Sequence, residues 1–77
     1  MNAADWAAVA TDCRNKADAA RLLASIVKVP ADAPRWWAHF ADDRIHEACR
    51  DLAMVFTDLA GEATECALDA AEHEAVT

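Results

Sequence analysis

Two unbroken rows of apolar residues constrain what this chain can fold into. Within each row the residues alternate between spacings of four and three, which places them on one narrow face of an α-helix. The first row is Trp6, Ala10, Cys13, Ala17, Ala20, Ala24 and Val27. The second row is Ile45, Cys49, Leu52, Phe56, Leu59, Ala63, Cys66 and Ala70. The sequence therefore predicts two long helices, each of which buries one stripe.

Local signals set the ends of the first helix. Asn2 can cap it, and Asp5 stands where a capping box requires an acidic side chain. Pro30 disfavours helical geometry in the residue before it, so we expect a helix over about 3–28 and a loop over 29–33. Asp32 is the expected N-cap of the following helix.

The aromatic residues after the loop are out of phase with the second row. Trp36, Trp37 and Phe40 would fall beside the opposite, acidic face if the helix were continuous. The sequence thus predicts a short helix over about 34–41, a kink at 42–43, and a long helix over about 43–74. Gly61 lies inside that helix without shifting the phase of its apolar row, which favours a continuous helix there.

These elements predict an all-α fold in a single domain, residues 1–77. It is an antiparallel helical hairpin in which Val27 lies near Ile45 and Cys13 lies near Leu59. No two cysteines are then level, so no internal disulfide is expected. Two helices bury little surface, and we expect the hairpin to dimerise into a helical bundle or to pack on a partner.

A ridge of carboxylates runs along the second helix. Its members are Glu47, Asp51, Asp58, Glu62, Glu65, Asp69 and Glu72. They share one face and span roughly 37 Å at 1.5 Å per residue. No Lys or Arg follows Arg50, and residues 57–77 carry a net charge of −6 out of −7 for the chain. The ridge predicts binding to a basic protein surface.

The ridge has a simpler alternative interpretation, which is a solvated face that keeps an Ala-rich chain soluble. Two physical costs of such a ridge favour a functional role over simple solvation. Like charges at i,i+4 oppose helix formation by a few tenths of a kcal/mol per pair. Carboxylates in the last turns also face the negative end of the helix dipole. The same charge argues against direct binding to nucleic acid or to an anionic membrane. No signal peptide or spanning segment is evident, so we expect a cytoplasmic protein.

Three smaller groups of residues are candidates for function. Trp36 and Trp37 with Arg35 have the composition of an interface anchor, although a plug for the end of the core is the alternative. The spacing of His39, Asp43 and His46 would suit a metal only on a continuous helix, which the expected kink disfavours. The cysteines lie on the apolar rows and behave as small hydrophobes. No enzyme motif and no cofactor is expected.

In size, charge and helicity the chain resembles the small acidic helical proteins that block nucleic-acid-binding machinery, including phage-encoded DNA mimics and anti-CRISPR inhibitors. The resemblance involves no sequence motif. It implies a non-enzymatic inhibitor that competes with DNA or RNA for a basic groove on a nucleic-acid-handling partner. Two alternatives remain open: a homodimeric structural or interaction module, and a helical carboxylate–His metal protein.

Overall fold

The computed structural model describes residues 1–76 and contains two α-helices. Helix α1 spans Ala3–Ile26 and helix α2 spans Arg35–Val76, and no strand occurs in this part of the chain. The all-helical fold expected from the apolar rows is confirmed. Over the same residues, neither helix has a stretch that is apolar and long enough to cross a membrane.

Helix α1 begins with the capping box that the sequence predicts. The Asn2 side chain accepts a hydrogen bond from the backbone N–H of Asp5 at 2.8 Å, and the Asp5 carboxylate accepts one from the Asn2 N–H at 3.1 Å. These bonds satisfy two N–H groups that have no partner within the helix. The helix ends at Ile26, because Val27 is already extended, with φ −69° and ψ 120°.

Helix α2 is continuous, and the predicted kink at 42–43 is wrong. Residues 35–41 belong to α2 itself and do not form a separate short helix. Asp32 does not cap α2, because the residue before its first helical position is Pro34, whose carbonyl accepts from the Ala38 N–H at 2.9 Å. The helix also continues through Gly61, as expected.

The two helices pack antiparallel in a register fixed by side-chain contacts. Arg14 reaches Thr64, and Arg21 reaches Thr57. In an antiparallel pair these contacts place residue 13 level with about residue 65, rather than with Leu59 as expected from the sequence. The predicted register was therefore wrong by about six residues, or about 9 Å along the helix axis.

This register leaves the beginning of α2 without a helix opposite it. Ile26, the last residue of α1, is level with about residue 52, so about 16 residues at the start of α2 extend beyond α1. The connecting segment 27–34 returns alongside them, and Val27 and Val29 line a cleft with Ala38 and Asp42 of α2. The molecule is consequently a rod of 64 × 14 × 12 Å.

The core between the helices consists of alanine and cysteine alone. Its buried residues are Ala10, Cys13, Ala17, Ala20, Cys49, Ala53, Ala60 and Ala63. Leu52 and Leu59, which were expected in this core, are 43% and 44% exposed, and the neighbouring Ala53 and Ala60 are buried instead. Small side chains let the two backbones approach closely, which favours contact through the alanine stripe.

The large apolar residues lie outside this core. Trp36 is 73% exposed, Phe40 56% and Trp37 41%, so the interpretation of the aromatic cluster as a core plug is wrong. Leu22, Leu23, Ile26 and Val55 are exposed as well. The hairpin thus buries its small residues and leaves its large ones in contact with solvent.

Candidate functional site

The carboxylate ridge lies on one continuous helix, since α2 runs without a break past all seven of its residues. All seven side chains belong to exposed residues. From Asp58 to Glu72 the carboxylates alternate between spacings of four and three, so neighbours lie about 5–6 Å apart at their Cβ atoms. This half of the ridge is a straight row of negative charge on the side of α2 that faces away from α1.

Within residues 1–76, no Lys or Arg forms an ion pair with a carboxylate of the ridge. Asp69 has His73 one turn further on, with 3.9 Å between His73 Nδ1 and Asp69 Oδ1. His73 Nδ1 also lies 2.8 Å from the backbone carbonyl oxygen of Asp69. The negative charge of the ridge is therefore largely uncompensated inside the molecule.

The cations of α1 are engaged elsewhere. Lys16 pairs with Asp12 at 2.6 Å, and the pKa of Lys16 is raised, first by this hydrogen bond and then by the charge of Asp12. Arg21 pairs with Asp18 at 3.0 Å. Both pairs are exposed and contribute little to stability. Neither of these α1 cations pairs with a carboxylate of the ridge.

The metal candidates do not come together as a ligand set. His46 Nδ1 lies 2.9 Å from the backbone carbonyl oxygen of Asp42 and 3.5 Å from its carboxylate. The carboxylate beside His46 is thus Asp42, the residue before the expected ligand Asp43. Among residues 1–76 no three His, Cys, Asp or Glu side chains are grouped as metal ligands. Although α2 is continuous, it does not bring His39, Asp43 and His46 together as metal ligands.

The cysteines are free thiols. Cys13 and Cys49 are buried and Cys66 is partly buried. The observed register brings Cys13 and Cys66 to nearly the same level, which corrects the expectation that no two cysteines would be level. Cys49 lies 17 residues from Cys66 along α2 and serves as a small core residue.

The aromatic residues predicted as an anchor are accessible. Trp36 and Trp37 are exposed, as is Arg35 at the first position of α2. Phe40 lies beneath Arg44, whose guanidinium carbon is 5.6 Å from the ring centroid. This is a cation–π contact, and it holds one of the exposed rings in place.

Two kinds of cross-helix contact were not foreseen from the sequence. One is the pairing of arginine with threonine, of Arg14 with Thr64 and of Arg21 with Thr57. The other joins the two ends of the chain, because Glu74 Oε1 accepts a hydrogen bond from the backbone N–H of Ala3 at 2.9 Å. A carboxylate at a helix N-terminus is favoured by the helix dipole. The spacing of seven shared by Arg14 and Arg21, and by Thr57 and Thr64, was the available signal for the first contact.

Comparison of the chain with protein families, with characterised proteins and with solved structures finds no match.

Proposed function

We propose that this protein is a non-enzymatic, cytoplasmic binding protein that docks its carboxylate ridge on a basic groove of a nucleic-acid-handling partner. Binding there would compete with DNA or RNA, so the protein would act as an inhibitor. The proposal rests on one observation above all: every carboxylate of the ridge is exposed on a single continuous helix.

The shape of the ridge suits a groove that holds a nucleic-acid strand. Its span of roughly 37 Å is straight, because α2 is an uninterrupted helix. The spacing of about 5–6 Å between neighbouring carboxylates is broadly comparable to the phosphate repeat of a single strand. A partner that places Lys or Arg side chains along such a strand could place them along α2.

The electrostatics support the same proposal. The ridge carboxylates have no Lys or Arg partner within residues 1–76, so a basic groove would not have to displace existing ion pairs. Uncompensated charge also steers a basic partner toward this face at low ionic strength. Arg35, Trp36 and Trp37 at the far end of α2 supply a second, aromatic contact for the same partner.

The test is capture from a lysate of the native host by the immobilised protein, followed by mass spectrometry at low and high salt. The ridge variant carries Asp58→Asn, Glu62→Gln, Glu65→Gln and Asp69→Asn. The control carries Asp18→Asn, Asp32→Asn, Asp42→Asn and Asp43→Asn, which removes the same net charge outside the ridge. We expect the unmodified protein and the control to retain a basic nucleic-acid-binding protein that duplex DNA displaces.

The captured protein is then purified and its affinity for each variant is measured. The ridge variant should bind at least about tenfold more weakly, while the control changes little. Equal affinity of the ridge variant and the unmodified protein, with helical circular dichroism intact in both, would contradict the proposed function. Loss of binding in both variants would show that net charge, rather than the ridge, attracts the partner.

A homodimeric helical module is the second candidate function. The observation that favours it is the set of large apolar side chains that the hairpin leaves exposed, among them Leu52, Val55 and Leu59. Such a module and a ridge-binding inhibitor are compatible, because the part of the ridge from Asp58 to Glu72 shares no residue with this apolar set.

A further inference from the structure

Helix α2 carries a second apolar row that α1 does not cover. Its residues are Ala41, Ile45, Ala48, Leu52, Val55 and Leu59. They alternate between spacings of four and three, as in a coiled-coil seam. Leu52, Val55 and Leu59 are 43%, 53% and 44% exposed, so this second row lies open along much of its length.

The second row lies on one flank of the hairpin. Thr57 and Thr64 flank the buried stripe of α2 on the other side, where Arg21 and Arg14 reach them. Going round the helix, Leu52 and Leu59 fall on the opposite side of the same stripe. The polar flank is therefore bridged by α1 side chains, and the apolar flank is left without a partner.

The first half of the apolar row, Ala41 to Ala48, lies on the part of α2 that extends beyond α1. About 16 residues at the start of α2 have only the segment 27–34 beside them. Beyond Leu59 the row ends, because Glu62 takes the next position on that side. The apolar row thus covers only the middle of the helix, from Ala41 to Leu59.

We propose that a second copy of this chain covers the apolar row, with the two α2 helices packed antiparallel about a two-fold axis near Ala48. From Ala41 to Val55 the row is self-complementary about that residue, since Ala41 comes level with Val55 of the second copy and Ile45 lies within one residue of Leu52. Leu59 comes level with Trp37 of the second copy, another exposed apolar side chain. Isologous interfaces of this kind are the commonest in soluble homo-oligomers. The small side chain of Ala48 lets the helices approach closely on the axis.

Charge complementarity favours the same arrangement. Arg44 and Asp51 occupy equivalent positions beside the row, seven residues apart. In the antiparallel pair Arg44 of each copy comes level with Asp51 of the other, so two opposite charges meet twice. In a parallel pair the equivalent flanks of the two copies would lie on opposite sides of the interface, so Arg44 would not meet Asp51.

The exposed area of the chain is large enough to include a stable dimer interface. The chain exposes 5795 Å², whereas a compact monomer of its 8.3 kDa mass exposes about 4,600 Å². The excess of about 1,200 Å² per copy exceeds the roughly 800 Å² that each partner contributes to a standard interface. The rod-shaped hairpin therefore exposes enough surface beyond that of a compact monomer for an interface of standard size.

The first test is the mass of the unmodified protein in solution. Sedimentation equilibrium across the micromolar range should give about twice the chain mass, and the thermal midpoint should rise with protein concentration. A folded particle of single-chain mass at all these concentrations would overturn the proposal. So would a thermal midpoint that does not change with concentration.

Two matched variants locate the interface. Leu52→Glu places a charge in the row, whereas Met54→Glu places one two residues away on an exposed side chain outside it. We expect Leu52→Glu to be monomeric or unfolded, and Met54→Glu to remain a folded dimer. A dimer that survives Leu52→Glu, or one that Met54→Glu abolishes, would contradict this interface.

A third variant, Ala48→Cys, tests the position of the two-fold axis. This test does not require a substitution that disrupts the dimer. A short thiol cross-linker should join two Ala48→Cys chains far more efficiently than two Ala75→Cys chains or two unmodified chains, whose native thiols serve as the control. Equal cross-linking of Ala48→Cys and Ala75→Cys would exclude an axis near residue 48.

Discussion

Arg14 and Thr64 join the two helices through a short chain of hydrogen bonds. The Arg14 guanidinium donates to Thr64 Oγ1 at 2.9 Å, and the same hydroxyl donates to the backbone carbonyl of Ala60 at 2.8 Å. One heptad away, Thr57 donates to Ala53 at 2.8 Å and accepts from Arg21 at 3.5 Å. Ala53 and Ala60 are both buried, so each threonine links the polar flank to the alanine stripe.

Replacing Thr64 with valine removes the acceptor and preserves the shape of the side chain. We expect Thr64→Val to lower the free energy of unfolding by about 0.5–1.5 kcal/mol, since the bond to Arg14 is lost at a partly exposed site. Urea denaturation followed by circular dichroism measures the change.

Thr11→Val is the matched control, because Thr11 is exposed on α1 and no contact with α2 involves its hydroxyl. It should change stability by much less than Thr64→Val. Equal effects of the two substitutions would mean that β-branched replacement, rather than the Arg14 bond, accounts for the loss.

The alanine core makes a second prediction, because its helices have no room for larger side chains. Ala17 is 2% exposed, and Ala17→Leu should force the helices apart at a cost of about 1–3 kcal/mol. Ala19→Leu, two residues away on an exposed position, should be nearly neutral because leucine is also a good helix former. Thermal unfolding at one protein concentration compares the two variants. A stabilised Ala17→Leu variant would show that the core is loosely packed.

The apolar rows in the sequence were sufficient to predict two antiparallel helices, and Asn2 with Asp5 was sufficient to predict the capping box of α1. They did not settle which side of α2 faces α1. Leu52 and Ala53 both fit a helical stripe, and hydrophobicity favours leucine. The choice is made by how closely two backbones can approach, which depends on the residues of both helices together. Because the side of α2 that faces α1 was assigned wrongly, Leu52 and Leu59 were placed in the core and the exposed second apolar row was not recognised.

The kink and the register failed together, for one physical reason. The sequence argument broke the helix because Trp36, Trp37 and Phe40 are out of phase with the second apolar row and would otherwise fall beside the acidic face. Helix α2 instead remains continuous and leaves them exposed. The start of α2 therefore extends past α1. The register of every α2 residue against α1 differs from the predicted register as a result. The exposure of the seven ridge carboxylates, in contrast, followed directly from charge and spacing.

The last prediction concerns how much the negative charge of the ridge lowers the free energy of unfolding. Glu62 and Glu65 stand among carboxylates three and four residues away, with no Lys or Arg after Arg50 to offset them. Replacing both with glutamine should raise the free energy of unfolding by a few tenths of a kcal/mol, about the size of the repulsions removed. It should also reduce the rise in thermal midpoint that added salt produces, because screening relieves the same repulsions.

Asp12→Asn provides the opposite case for this measurement. Asp12 forms an i,i+4 pair with Lys16 at 2.6 Å, so neutralising it removes an attraction rather than a repulsion. We expect Asp12→Asn to be slightly destabilising at low salt, and Glu62→Gln with Glu65→Gln to be stabilising. If both changes had the same sign, net charge alone would govern stability and the ridge would carry no specific cost. A measured cost would show that the chain retains these carboxylates against its own stability, as expected of a surface selected for binding.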